Sequence, residues 1–268
     1  MQRHMFTQAV RVGQYQDLAS AHCEPVAMTA AYVFASASDA AMKFSGDTRG
    51  NVYSRFTNPT VQAFEQRIAA MEQAEAAVAF ASGMAAIVAM AHAWVVAGRD
   101  IVCSRDVFGT TLTAFRHYFG KLGIVVRVVD LTDLAQWEAA IDDRTAFVFL
   151  ETPSNPLQSV GDIAAIARIA HACGALLVVD NTLLTPVQQS PLRLGADVVM
   201  HSAGKYLDGH GRCVAGVAAG SDRLMGDLRG VLRVTGATLG AMDAWLLLKS
   251  LETLPLRMAA IGGNALQL

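Results

Sequence analysis

From about residue 58 onward, stretches with apolar residues three or four positions apart take turns with short runs rich in Val and Ile. The first pattern buries one face of a helix, and the second suits a strand covered on both sides. Their alternation predicts an α/β fold, a mostly parallel sheet flanked by helices. Asn58 is placed to cap the first clear helix and Pro59 to open it, with Val61, Phe64, Ile68 and Met71 falling on one face. A second helix is expected after Ser82-Gly83. Strands are predicted at Ile101–Cys103, Ile124–Val129, Ala146–Leu150, Leu176–Val179 and Val198–Met200. Asp162 begins a helix over Ile163–Cys173 that Gly174 ends, and one long helical stretch is expected over Met242–Met258.

Residues 1–57 lack this alternation and carry Gly46, Asp47, Gly50 and Asn51 in a loop-like run, which predicts an arm rather than a domain. The main domain is expected over 58–256. Apolar residues make up 53% of the chain and charged ones 16%, a composition suited to a packed core. A net charge of -2 gives no electrostatic reason to expect nucleic acid or a membrane as partner, which favours a small-molecule ligand. Cys23, Cys103, Cys173 and Cys213 form no CxxC pair, so neither a zinc site nor a secreted disulfide scaffold is indicated; they read as reduced core thiols, and no metal is expected. The first eleven residues are too polar for a signal peptide. The longest apolar stretch, Met84–Ala97, falls short of the ~20 residues a membrane span needs. A cytoplasmic location is the resulting expectation.

Three polar residues follow predicted strands: Asn155, Asp180 and Lys205. Ligands of open α/β sheets bind at the carboxyl ends of strands, so these side chains could converge. An amine, an acid and an anion-binding loop together suit pyridoxal phosphate (PLP). Its aldehyde condenses with a lysine, its ring nitrogen needs an acid partner, and its phosphate needs a cradle. The start of a helix at Ser82-Gly83-Met84 supplies backbone amides for such a cradle. Forming a Schiff base requires Lys205 to lose its proton, which partial burial near another cation would promote. Each residue also has a plainer reading: Lys205 as a solvated loop lysine, Asp180 as the cap of a turn, Asn155 as a turn residue, and Ser82-Gly83 as a helix cap.

The segment Tyr53-Ser54-Arg55-Phe56-Thr57-Asn58-Pro59-Thr60 closely resembles the signature of the Cys/Met metabolism family of PLP enzymes. Ser82–Ala86, Glu151–Pro156, Val179–Thr182 and His201–Tyr206 are similar to that family's further motifs, in the same order. The resemblance implies an aspartate-aminotransferase-like (fold type I) large domain. It implies Lys205 as the Schiff-base lysine, Asp180 on the ring nitrogen, Gly83, Met84 and Ser202 on the phosphate, and Asn155 near the phenolic oxygen. Phe108 stands where many family lyases carry a ring-stacking tyrosine; alternatively it is core. Tyr53 and Arg55 are implied to reach the phosphate of a neighbouring subunit, which gives the arm its purpose and makes the enzyme a homo-oligomer, a dimer or tetramer.

Gly50–Tyr53, Arg105–Thr111 and Asp208–Arg212 look most like the O-succinylhomoserine sulfhydrylase branch of the family. That resemblance implies a transferase of methionine biosynthesis, with trans-sulfuration-type γ-replacement: O-succinylhomoserine and sulfide give homocysteine and succinate. Cystathionine γ-synthase or a cystathionine or methionine γ-lyase are the alternatives on the same cofactor. Two departures from the family stand out. Gly204 replaces the usual threonine and removes a hydroxyl donor to the phosphate. Relatives also continue into a small C-terminal domain, whereas this sequence ends at Leu268, so that domain is expected to be absent, with 257–268 as the start of a truncated region. A non-catalytic remnant that binds cofactor is the reading of a different class.

Overall fold

A computed structural model describes residues 4–15 and 21–268; residues 1–3 and 16–20 of the expected arm lie outside the described residues. Helices are α1 Met5–Arg11, α2 Ala37–Ser45, α3 Pro59–Glu72, α4 Gly83–Trp94, α5 Gly109–Thr113, α6 Leu134–Ala140, α7 Ile163–Ala172, α8 Thr185–Gln188, α9 Asp222–Thr235, α10 Ala241–Leu251 and α11 Leu254–Ala265. Strands are β1 Ala76–Phe80, β2 Asp100–Ser104, β3 Val125–Val129, β4 Thr145–Glu151, β5 Leu176–Asp180, β6 Val198–Ser202 and β7 Gly216–Gly220.

Local chemistry explains the helix starts. The Asn58 side chain accepts from the amides of Thr60 and Val61, with Pro59 in the first turn of α3, as the sequence predicts. Ser82 caps α4 through the amide of Ala85, and Asp162 caps α7 through that of Ala165. The long stretch ending at Met258 is instead two helices. The chain turns at Glu252-Thr253, and Pro255 then sits in the first turn of α11, where its missing amide costs nothing.

The strands form one sheet in the order β1-β7-β6-β5-β4-β2-β3. The pairs β2–β3, β2–β4, β4–β5 and β5–β6 are parallel, while β7 runs antiparallel to both β1 and β6. This is the mostly parallel sheet with helices on both faces that the alternation predicts, built as a fold type I large domain is. Two strands, β1 and β7, escape sequence reasoning because they are Ala- and Gly-rich, with weak intrinsic strand preference. Their small side chains let neighbours close in. At Gly216 a β-carbon would collide with the Ser82 carbonyl, so β7 can lie directly beneath the loop entering α4.

Alternation along each strand sorts the core into two faces. Ile101, Cys103, Phe147, Phe149, Val178, Val198 and Met200 face α4 and α9. On the opposite side, Val199 and Val217 meet α3 and α10, while Val148, Leu150, Leu177 and Val179 meet α6 and α7. Phe115 stands edge-on to Phe147 and Phe149 at 5.8 and 5.7 Å, a favoured aromatic geometry. Burial of each such ring contributes about 1.5–3 kcal/mol.

The arm is tied down rather than free. Arg67 of α3, fully buried, pairs with Glu24 at 3.0 Å and donates to the carbonyls of Val12 and Leu248, so one guanidinium joins both arm segments to the main body. Ala9 of α1 enters the core. Among the cysteines only Cys103 is a core thiol; Cys23 is exposed, and Cys173 and Cys213 are half-buried, which corrects the expectation for three of the four. All four are free. Among the described residues no helix is long and apolar enough to cross a membrane.

Candidate active site

The carboxyl ends of β2, β4, β5 and β6 lie side by side, so residues far apart in sequence meet there. Glu151 ends β4, Asp180 ends β5 and Ser202 ends β6. By strand parity all three belong to the face that carries α4. Lys205 lies three residues beyond β6, in a turn where its amide bonds to the Ser202 carbonyl.

Asp180 is buried, and burial raises its pKa above the usual carboxylate range, against the opposing pull of Thr182, His201 and Lys205. Its Oδ1 accepts from the Thr182 amide at 3.0 Å, so the plainer reading as a turn cap is also true. Thr182 is the one hydrogen-bond donor residue it has among the described residues. The Thr182 hydroxyl in turn accepts from the Ser202 amide at 2.8 Å, which locks the ends of β5 and β6 together.

Gly83, the first residue of α4, abuts Ser202: a β-carbon on Gly83 would lie 3.1 Å from both Cα and Cβ of Ser202. Glycine therefore brings a helix N-terminus against the end of β6. The amides of Gly83 and Met84 belong to the first turn, which has no intrahelical acceptors, and they point their partial positive charge out of the helix. Together with the adjacent Ser202 hydroxyl they supply donors of the kind that bind an anion at a helix start.

Phe108 is not core, since it is 52% exposed. Its ring centroid lies 5.7 Å from the Lys205 Nζ, and its amide donates to Glu151 Oε2 at 3.0 Å. Glu151 is the site residue that sequence reasoning missed as an individual, having noticed it only inside a motif. Burial, reinforced by neighbouring Asp180, pushes its carboxyl up to about 7, while the Phe108 amide and Lys205 pull the other way. The signal was a charged residue directly after the apolar run Ala146–Leu150.

Lys205 itself differs from expectation. It is exposed, and the charged groups it influences are two acids, Glu151 and Asp180, rather than a cation. The reason is topological, because its turn projects beyond the sheet edge where the strand-terminal acids gather. Asn155 is also exposed, on a loop with cis peptide bonds before Pro153 and Pro156.

Tyr53 and Arg55 do not join this cluster. The Arg55 guanidinium donates to the Arg233 carbonyl and lies over the rings of Tyr53 and Phe56 at 5.4 and 4.7 Å. Arg55 lines a cavity of about 830 Å³ between α3, α9 and residues 49–58; none of Gly83, Asp180, Ser202 and Lys205 lines it. The residues gathered at the strand ends therefore lie apart from this cavity.

Gly204 has a steric cause. A β-carbon there would run into the carbonyl oxygen of Cys213. The loop carrying Cys213 is fixed by buried Asp208, which takes two hydrogen bonds from the Arg212 guanidinium and one from Ser250. Beneath, on the opposite face, buried His201 meets Glu72 of α3 at 2.6 Å, and Glu72 also accepts from Asn181.

These residues fit PLP. A buried acid with one donor residue, a glycine-opened helix start beside a serine, an amine and an exposed aromatic face supply what the ring nitrogen, phosphate, aldehyde and ring each require. Fold and site thus define an α/β cofactor domain of the PLP type.

The profile of Cys/Met metabolism PLP-dependent enzymes matches residues 6–268, and the chain belongs to that family. It is 53% identical over 262 residues to an O-succinylhomoserine sulfhydrylase of Pseudomonas aeruginosa, covering 98% of this chain and 65% of that protein. An L-methionine gamma-lyase of Pseudomonas deceptionensis is 44% identical over 87% of this chain and 59% of its own length. An O-succinylhomoserine sulfhydrylase of Mycobacterium tuberculosis is 41% identical, over 97% and 64%. The chain thus spans a little under two thirds of the length of these relatives.

Proposed function

We propose that this chain is the cofactor-binding part of a PLP-dependent enzyme that performs γ-replacement, converting O-succinylhomoserine and sulfide to homocysteine and succinate. The observation that carries the reading is the meeting of Lys205, buried Asp180 and the Gly83–Ser202 cradle at one edge of the sheet. The similarity to the sulfhydrylases supports this reaction.

In this reading Lys205 would hold the aldehyde carbon, Asp180 would pair with the ring nitrogen, and Gly83, Met84 and Ser202 would bind the phosphate. Phe108 would cover one face of the ring, and Asn155 would serve the phenolic oxygen. When bound, the cofactor supplies an electron sink for negative charge at the substrate α-carbon. A protonated ring nitrogen beside Asp180 would favour its carboxylate form, and burial would make that interaction strong. The free Lys205 amine would take the α-proton at Nζ and would serve the later transfer at Cβ as well. The Cγ–O bond to succinate breaks with its electron pair leaving on succinate, and a Cγ–S bond to sulfide forms. Phe108 has no hydroxyl, so the proton transfers fall to Lys205.

The same reading assigns residues 1–57 as an arm whose Tyr53 and Arg55 serve the phosphate of a neighbouring copy, 58–256 as the cofactor domain, and 257–268 as the start of a C-terminal region. The assembly is a homodimer or homotetramer in the cytoplasm. A γ-lyase is the second reading, favoured by the similarity to L-methionine gamma-lyases.

The test is to add PLP, trap it with borohydride, and locate the reduced adduct by peptide mapping. The adduct is expected on Lys205, and labelling elsewhere or nowhere overturns the site. Product analysis with O-succinylhomoserine, with and without sulfide, then separates the reactions: homocysteine is expected, and succinate release without it counts against the sulfhydrylase.

A further inference from the structure

Glu151 has a place in the site that its motif does not explain. It is 8% exposed, at the end of a strand otherwise buried throughout, beside Asp180 in register. Burying a carboxylate next to another acid is unfavourable, and a hydrophobic residue would complete the strand at lower cost. Among the described residues one hydrogen bond is made by its side chain, from the Phe108 amide to Oε2. Phe108 needs such an anchor. Its ring is half in solvent, so packing does not fix it, and its own side chain provides no cap for α5. Yet that ring stands 5.7 Å from the amine of Lys205.

We propose that Glu151 is a positioning residue: from the end of β4 it grips the Phe108 main-chain amide and thereby fixes the Phe108 ring beside the Lys205 amine. The inference rests on reading the Lys205 cluster as the PLP site. Glu151 acts through Phe108 and not by contact with the cofactor, which gives the proposal a distinctive pattern of coupling. Removing the acceptor should matter only while the ring is present to be positioned.

The experiment is a titration of PLP into the full chain and its variants, followed by visible absorption, with borohydride labelling of Lys205 as a second readout. Glu151→Met removes the acceptor at nearly constant volume, and Glu151→Gln keeps a carbonyl that can accept from the Phe108 amide. Loss of a hydrogen bond to a charged group predicts that Glu151→Met weakens cofactor binding about tenfold. Glu151→Gln is expected to stay within about threefold of the unaltered chain, since its acceptor remains. Loss of the aromatic face through which Glu151 acts predicts weakening of at least about tenfold for Phe108→Ala, and Glu151→Met added to it should cost less than about twofold more. Three results each overturn the inference: binding by Glu151→Met equal to that of the unaltered chain, Glu151→Gln as weak as Glu151→Met, or multiplying effects in the double variant. If the unaltered chain neither develops an absorption band nor is labelled at Lys205, the cofactor reading itself fails, and this inference with it.

Discussion

Glu151 and Asp180 are paired in register at the ends of β4 and β5, so two acidic side chains leave the same face of the sheet next to each other. Burial raises the pKa of both, and each stands near the single amine of Lys205. The edge of the sheet thereby concentrates protonation chemistry that neither strand shows alone.

This pair makes stability depend on pH in a definite direction. The Glu151 carboxyl is raised from 4.5 to about 7 by folding. Between those values the folded chain holds a proton that the unfolded chain has lost, so the contribution of Glu151 is fully present below about 4.5 and fades as pH rises through 7. Asp180, raised as well, acts in the same sense. Glu151→Gln carries no such proton, so its stability relative to the unaltered chain should improve by about 3 kcal/mol between pH 4.5 and pH 8. Urea unfolding at both pH values measures the difference, and a flat or opposite trend refutes the assignment.

Asp180→Asn keeps the shape and removes the charge. A carboxylate facing a protonated ring nitrogen is a charge-assisted partner, and its loss should lower cofactor affinity by about ten- to a hundredfold. The fold should survive, because an amide oxygen still accepts from Thr182. Cofactor titration beside a thermal melt distinguishes the two effects.

Restoring the family's threonine at 204 should harm this chain. The added β-carbon meets the Cys213 carbonyl, and the loop behind it is braced by Asp208, Arg212 and Ser250. Overpacking of this kind costs about 1–3 kcal/mol. Gly204→Thr is therefore expected to melt at a lower temperature without binding PLP more tightly, and a tighter cofactor constant with unchanged melting would show that the loop yields.

Arg55 is committed on its own chain to Arg233, Tyr53 and Phe56, away from Lys205. Should it serve a neighbouring copy, Arg55→Ala and Lys205→Ala chains, each inactive alone, will complement when mixed. In a two-fold assembly one site of each mixed dimer then has both residues intact, which recovers about a quarter of the sites under random pairing. Activity measured after mixing and separate incubation tests this, and no recovery despite exchange of chains would place Arg55 outside the shared site.

How far the sequence reaches follows from where each feature is encoded. The strands β2 to β6 and the helices α3, α4 and α7 are written locally, in apolar period, Val and Ile content, and the capping residues Asn58, Ser82 and Asp162. Lys205, Asp180 and the Ser82–Met84 turn stood out because chemistry needs those residue types at strand and helix ends. Strands β1 and β7 carry no such mark. Their Ala and Gly residues become strands because neighbouring backbones approach where larger side chains would collide, as Gly216 does beneath Ser82.

By itself the sequence determined an α/β architecture, the order of its motifs, and the candidate residues for holding a cofactor, since these depend on local periodicity and on chemical type. Tertiary structure alone decided that Glu151 grips the Phe108 amide, that Phe108 is exposed beside Lys205 and not buried, and that Gly204 answers to Cys213. Those relations join residues from different strands and loops. They arise only when the parallel sheet aligns its carboxyl ends and burial puts their charges within reach of one another.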